Sequence, residues 1–178
     1  MSDQQGASDP SSQMMVLPAF GRAPALKMEM KNIRYAEQRL IEAKTVNPIT
    51  YADLEHTFNE AYRDLKKYIA SVGYALTMAQ KSLEDAKADV ILGSYAELMA
   101  GKPKSHDTAD LRGAYLARDP AYSAALERIA QLKALEANLD GKMKVMENVC
   151  RYMRKQMDIV LRSGMGSADY YITHGGKK

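Results

Sequence analysis

The chain has one cysteine, no tryptophan and only two phenylalanines in 178 residues. A single thiol cannot close a disulfide within the chain, so a stapled secreted scaffold is excluded and a reducing interior is the natural compartment. No run of 18 apolar residues occurs, and no membrane-spanning helix is expected. The first residues lack a basic segment followed by an apolar one, so no signal peptide is expected. Proline is scarce, and none falls between residues 49 and 102, which leaves room for a very long helix. Neither G-x-x-x-x-G-K-[ST] nor G-x-G-x-x-G is present, so no phosphate-cradling loop is foreseen. His56, His106 and His174 are far apart and lack the spacing of metal ligands. No catalytic residue, metal or cofactor is expected, and the chain reads as a non-enzyme.

What is present is a helical pattern and an uneven charge. The formal net charge is +3. Residues 141–178 hold eight Lys/Arg against three acids, a surplus of five, so everything before Gly141 sums to a slight acidic excess. The basic character belongs to the C-terminal part.

Residues 1–24, rich in Ser, Asp, Gln, Gly and Pro, read as a disordered tail. It carries an apolar island, Met14 to Phe20, read either as a strap over the core or as a peptide that docks on a partner. Residues 25–44 read as a helix with Leu26, Met30, Ile33 and Leu40 on one face, ended by Asn47-Pro48. Thr50, with Asp53 three residues on, predicts an N-cap, and Ile49 with Leu54 a hydrophobic staple. The apolar positions Leu54, Phe58, Ala61, Leu65, Tyr68, Val72, Ala75, Ala79, Leu83, Ala86 and Val90 step mostly by fours and threes, the spacing of a seam buried against a partner helix. Gly101 before Lys102-Pro103 predicts the stop. A polar tip follows, with a helical turn at 108–117. Asp119 as N-cap and Pro120 at the first helical position then open a second long helix. Its seam runs Leu126, Ile129, Leu132, Leu135, Leu139, Met143, Met146, Cys150, Met153, Met157 and Val160, and Gly164 is its expected end. The fold class expected is all-α: a long antiparallel, coiled-coil-like helical hairpin over 25–164, with a shorter N-terminal helix beside it. Residues 165–178 read as a basic, aromatic tail. A seam this rich in Ala and Met leaves apolar surface for a second subunit, so a homo-oligomer is expected.

The cations of the last helix are ordered. A helix turns by about 100° per residue, which places Arg151 and Lys155 about 20° to either side of Lys144, and Arg162 directly in line with it. The row lies opposite the Met/Cys seam and spans about 27 Å. Such a row suits a phosphate backbone, whose binding comes from neutralised phosphates and released counterions. Read blandly, it is a solvated helix face. A second cationic group sits at the tip: Lys102, Lys104, Arg112 and Arg118, with Tyr95 and Tyr115 near enough in sequence to stack on bases. Cys150, on the apolar seam, reads as inert core.

The order of these features resembles a known family. A long charged helix ends in an aromatic-Gly-Lys tip, and a polar loop leads into DLRGAYLARDPAYSAALERIAQLKALEANLDGKMKVMENVCRYMRKQM. This resembles the UvsY-like recombination mediators of T-even-type bacteriophages, over roughly residues 80–170. The resemblance implies a non-enzymatic oligomer that binds single-stranded DNA and helps a RecA-type recombinase displace the single-strand binding protein, in the cytoplasm of the host cell. The family's DNA-binding segment has two cations one residue apart, then aromatics. Here AKADVILGSYAELMAGK supplies Lys87, then Asp89 in the second place, and Tyr95 as the aromatic. The candidate contacts to nucleic acid are therefore Lys87, Lys102, Lys104, Lys144, Arg151, Lys155 and Arg162. The alternative is a phage scaffold or chaperone that binds other proteins through its helical hairpin.

Overall fold

The start of the first long helix is set by one side chain. In the computed structural model, which describes residues 14–174 and their side chains as far as Ser163, Asn47 Oδ1 accepts from the amides of Ile49 and Thr50 at 2.9 and 3.1 Å. Thr50 Oγ1 accepts in return from the Asn47 amide at 3.3 Å. This is a reciprocal cap one turn earlier than expected, with Pro48 at the first helical position, where its missing N–H costs nothing. Thr50 is thus the third helical residue and not the N-cap. Ile49 forms no staple; it is 91% exposed.

The described residues fold mostly as helices, several of them packed together, and not as a simple pair. In chain order the elements are β1 (Met14–Leu17), β2 (Leu26–Glu29), α1 (Lys31–Gln38), α2 (Pro48–Leu92), α3 (Ser94–Met99), α4 (Ala109–Arg118) and α5 (Pro120–His174), with 3-10 turns at Glu42–Thr45 and Lys104–His106. The chain divides into two units. Helices α2 and α5 each give a stretch to both.

The first unit takes residues 29–67 and the part of the chain from Asp140 onward. Its core is Met30, Ile33 and Ala36, then Ala43, then Leu54, Phe58, Ala61 and Leu65 of α2, closed by Met146, Cys150, Met153 and Met157 of α5. Here α2 and α5 run antiparallel. The Tyr62 hydroxyl donates to Glu147 at 2.9 Å, and seven residues back on α2 Glu55 accepts from Arg154, seven residues on along α5, at 3.3 Å. Seven residues are two helical turns, so one face of each helix meets one face of the other. Helix α1 is tied to both: Asn32 Nδ2 donates to Asp64 at 2.9 Å, and Lys142 pairs with Glu37.

The second unit takes residues 14–28 and 68–139. Tyr68, Val72, Ala75, Ala79 and Val90 of α2 are buried with Ala125, Ile129, Leu132 and Leu139 of α5. Leu83 and Ala86 are only half-buried, and Leu126 is exposed. Strands β1 and β2 form a two-stranded sheet. Its connection turns at Gly21-Arg22, where Phe20 and Ala23 exchange backbone hydrogen bonds of 2.9 and 2.8 Å. Gly21 has φ 52° and a Cβ there would lie 2.4 Å from Ser82 Oγ, so this turn both needs and is packed around a glycine. The Arg22 amide donates to Ser82 Oγ at 2.8 Å and its guanidinium meets Asp85 at 2.6 Å, which docks the turn on α2.

Several expectations are corrected. The helix expected over 25–44 is a strand, a short helix and a 3-10 turn. Leu26, Met28 and Met30 are buried while Lys27 and Glu29 are exposed; that is the period of two of a strand, and pairing Leu26 with Met30 as helical neighbours hid it. Residues 14–24 of the expected tail belong to the sheet and its turn, so the fold is not all-α; residues 1–13 lie outside the described residues. The first long helix stops at Leu92 and not at the tip. The break falls at Gly93, whose backbone leaves helical geometry (φ −96°, ψ −105°) in a conformation where a Cβ would sit 2.8 Å from the Asp89 carbonyl oxygen, so the position suits glycine. Gly101, at φ 77°, does mark the stop before Pro103. Asp119 caps α5 as foreseen, accepting from the Tyr122 amide at 2.8 Å. Gly164 does not end α5, whose backbone is helical to His174: a helical glycine costs about 1 kcal/mol but breaks nothing by itself. Residues 175–178 of the expected tail lie outside the described residues.

Candidate nucleic-acid interface

The core seam of α5 decides which way its cations face. Met146 and Met153 are fully buried, and Cys150 and Met157 nearly so. Lys144, Arg151, Lys155 and Arg162 lie about half a turn of the wheel away and are all exposed. The structure therefore brings these four into one row within the first unit.

The four are not equivalent. Lys144 Nζ sits 2.7 Å from Asp140, one turn back, and this hydrogen bond holds its ammonium above the usual lysine range. Arg154, off the row, is held by Glu55, which raises its pKa in the same way. Arg151, Lys155 and Arg162 form no ion pair among the described residues. Arg151 and Lys155 edge an open groove of about 450 Å³ that Tyr62, Glu147, Cys150 and Asp158 also line. The Tyr62 hydroxyl occupies Glu147, and Lys66 Nζ lies 4.7 Å from the centre of the Tyr62 ring. Lys66 was not among the expected contacts. It comes from another helix, and the register that sets residue 62 against residue 147 is not written in local spacing.

The second group belongs to the other unit. Lys87 is exposed near the end of α2, Lys102 follows Gly101, and Lys104 opens the 3-10 turn; the last two are exposed. Arg112 is occupied by Asp107 at 2.9 Å. Of the two tyrosines, Tyr95 is buried and Tyr115 half-buried. Tyr95 is 4% exposed, its hydroxyl donates to Asp107 at 2.8 Å, and burial raises its pKa, with the Asp107 bond adding to the shift. Tyr115 packs edge-on against it with centroids 5.6 Å apart.

A second apolar seam on α5 escaped the sequence reading. Val145, Val149, Tyr152 and Ile159 repeat the spacing of the core seam displaced by one residue, which rotates it by about 100°. Val145, Tyr152 and Ile159 are 44, 42 and 59% exposed. Beside them Leu40, Ile41, Ala43 and Lys44 complete a largely apolar groove of about 640 Å³ with Asn148, Val149 and Tyr152. The signal was present, but the neighbouring seam has the same period and accounted for it.

Among the described residues no group of three or more His, Cys, Asp or Glu is placed to hold a metal ion, and no helix is long and apolar enough to cross a membrane. Cys150 is buried, and burial pushes its thiol up. Neither a protein-family model, nor a curated protein, nor a solved structure matches this chain.

Proposed function

We propose that the chain is a non-enzymatic single-stranded-DNA-binding recombination mediator of the UvsY-like kind. It acts as a homo-oligomer in the host cytoplasm and helps a RecA-type recombinase replace the single-strand binding protein. One observation carries the reading: Arg151, Lys155 and Arg162 stand in line on an exposed face of α5, paired with no carboxylate among the described residues, with Lys144 at their head. Cations so placed are the element a polyanion can neutralise without first breaking ion pairs. Lys87, Lys102 and Lys104 are the subsidiary contacts. The test is fluorescence anisotropy of a labelled oligothymidylate with the full chain and with Arg151→Glu/Lys155→Glu/Arg162→Glu. Binding by the parent and its loss in the variant support the reading; equal binding by both removes the row from it.

One observation favours a second reading, that of an assembly protein binding other proteins. The exposed apolar seam Val145, Tyr152 and Ile159 has no use in holding phosphates.

A further inference from the structure

The exposed seam of α5 has a shape, a charge and a neighbour. The steps Val145 to Val149 to Tyr152 are four and three, and the next four and three lead through Gln156 to Ile159. Apolar side chains at that spacing match the side of another α-helix, because only a helix keeps a 3.5-residue stripe in contact turn after turn. A nucleic-acid strand has no such repeat, and the seam offers one aromatic ring among aliphatic residues. In heptad terms Lys155 and Arg162 stand immediately beside the seam, at the positions that face a partner's flanking charges, and Lys144 and Arg151 stand one row further out. Lys155 and Arg162 are exposed and make no ion pair among the described residues. On the far side of the groove Lys44 is exposed as well. Cations therefore flank the seam: Lys155 and Arg162 along α5, and Lys44 on the wall of the apolar groove.

We propose that the groove formed by Val149 and Tyr152 of α5 with Ile41 and Lys44, continued along α5 by the exposed Val145 and Ile159, docks an amphipathic helix of another protein whose flanks are acidic. Charge complementarity selects this occupant over a second copy paired through the same seam. An antiparallel copy would set the flank of Lys155 and Arg162 against the same flank of its twin, cation against cation. A parallel copy would set it against Met146, Met153 and Val160, the first two of which are already buried in the core. Neither supplies a carboxylate. The inference stands apart from the DNA reading, although the two sites share Lys155 and Arg162, so an acidic helix on the seam competes with a bound strand.

The experiment uses the full chain and two labelled synthetic helices of about three heptads. Both have leucine at the seam positions; one has glutamate at the flanking positions and the other lysine. Anisotropy should show the glutamate peptide binding about tenfold or more tighter than the lysine peptide. Tyr152→Ser/Ile159→Ser, at two exposed sites and checked for an unchanged thermal melt, should weaken the glutamate peptide about tenfold. Lys155→Glu/Arg162→Glu should reverse the preference between peptides. The proposal is overturned if the two peptides bind equally, or if the serine variant binds the glutamate peptide as before. It is also overturned if neither peptide binds while the serine variant loses mass in light scattering, which makes a second copy the occupant. Failure of both peptides together with weaker oligonucleotide binding by the serine variant overturns it in favour of a nucleic-acid strand. Failure of the DNA reading is read separately, from the parent's lack of affinity for oligothymidylate.

Discussion

Asn47 closes the first turn of α2 by accepting from two amides, and Thr50 returns one bond to it. Asn47→Ala should lower the unfolding free energy by about 1 kcal/mol, seen as a shifted urea midpoint with unchanged slope. An unshifted midpoint would mean that the cap adds nothing. Cys150 makes a pH prediction. Burial raises its thiol pKa in the folded chain, so above the ordinary thiol range the unfolded chain releases a proton that the folded one still holds. Stability from this group is complete below the unfolded pKa and is lost as pH rises through the folded one. Alkylation of the native chain at pH 8 should be much slower than in denaturant; equal rates would place the thiol at the surface. Asp119 was legible because an Asp-Pro pair has one natural reading as cap and first helical residue. Asn47 was not, because Thr50 and Asp53 imitate a capping box three residues later and only coordinates show which oxygen reaches which amide.

At the scale of elements, the turn at Gly21-Arg22 joins the β1–β2 sheet to α2. Its glycine has a positive φ and no room for a Cβ beside Ser82. Gly21→Ala should cost about 1–2 kcal/mol from the backbone alone, and limited proteolysis should then cut residues 18–24 faster than in the parent. Equal cleavage rates would mean that the turn is not what holds the sheet to the helix. The long seams were legible because burial over many turns leaves a period that local accidents cannot erase: Leu54 to Ala79 and Ile129 to Met157 lie mainly in the core. The β arm was not, since four-residue strands give a period of two little length to declare itself. Leu26 and Met30 satisfy both periods, and only the burial of Met28 decides between them. The break at Gly93 was missed for a related reason. Glycine in a helix is usually tolerated, and what forbids a side chain there is a carbonyl one turn back, a contact that composition does not show.

For the whole molecule, a net charge of +3 says little, and its placement says more. The wheel put Lys144, Arg151, Lys155 and Arg162 opposite the Met/Cys seam, and in the first unit the seam is buried and the cations face solvent. What the wheel could not provide is the occupancy of each cation. Lys144 is shared with Asp140, and Arg112 at the tip with Asp107, because ion pairing depends on side-chain reach and on neighbours from other helices. Tyr95 at the tip was overread for the same reason: its sequence position suggested exposure, and it is buried.

The central claim is that the free part of this row binds the phosphates of a single strand. The most direct measurement is the slope of log affinity for oligothymidylate against log salt concentration, in the parent and in Arg151→Glu/Lys155→Glu/Arg162→Glu. Each phosphate contact to a single strand contributes about −0.7 to that slope, so losing three should make it shallower by about 2 and leave only weak binding. A variant that keeps the parent's slope and affinity would contradict the account.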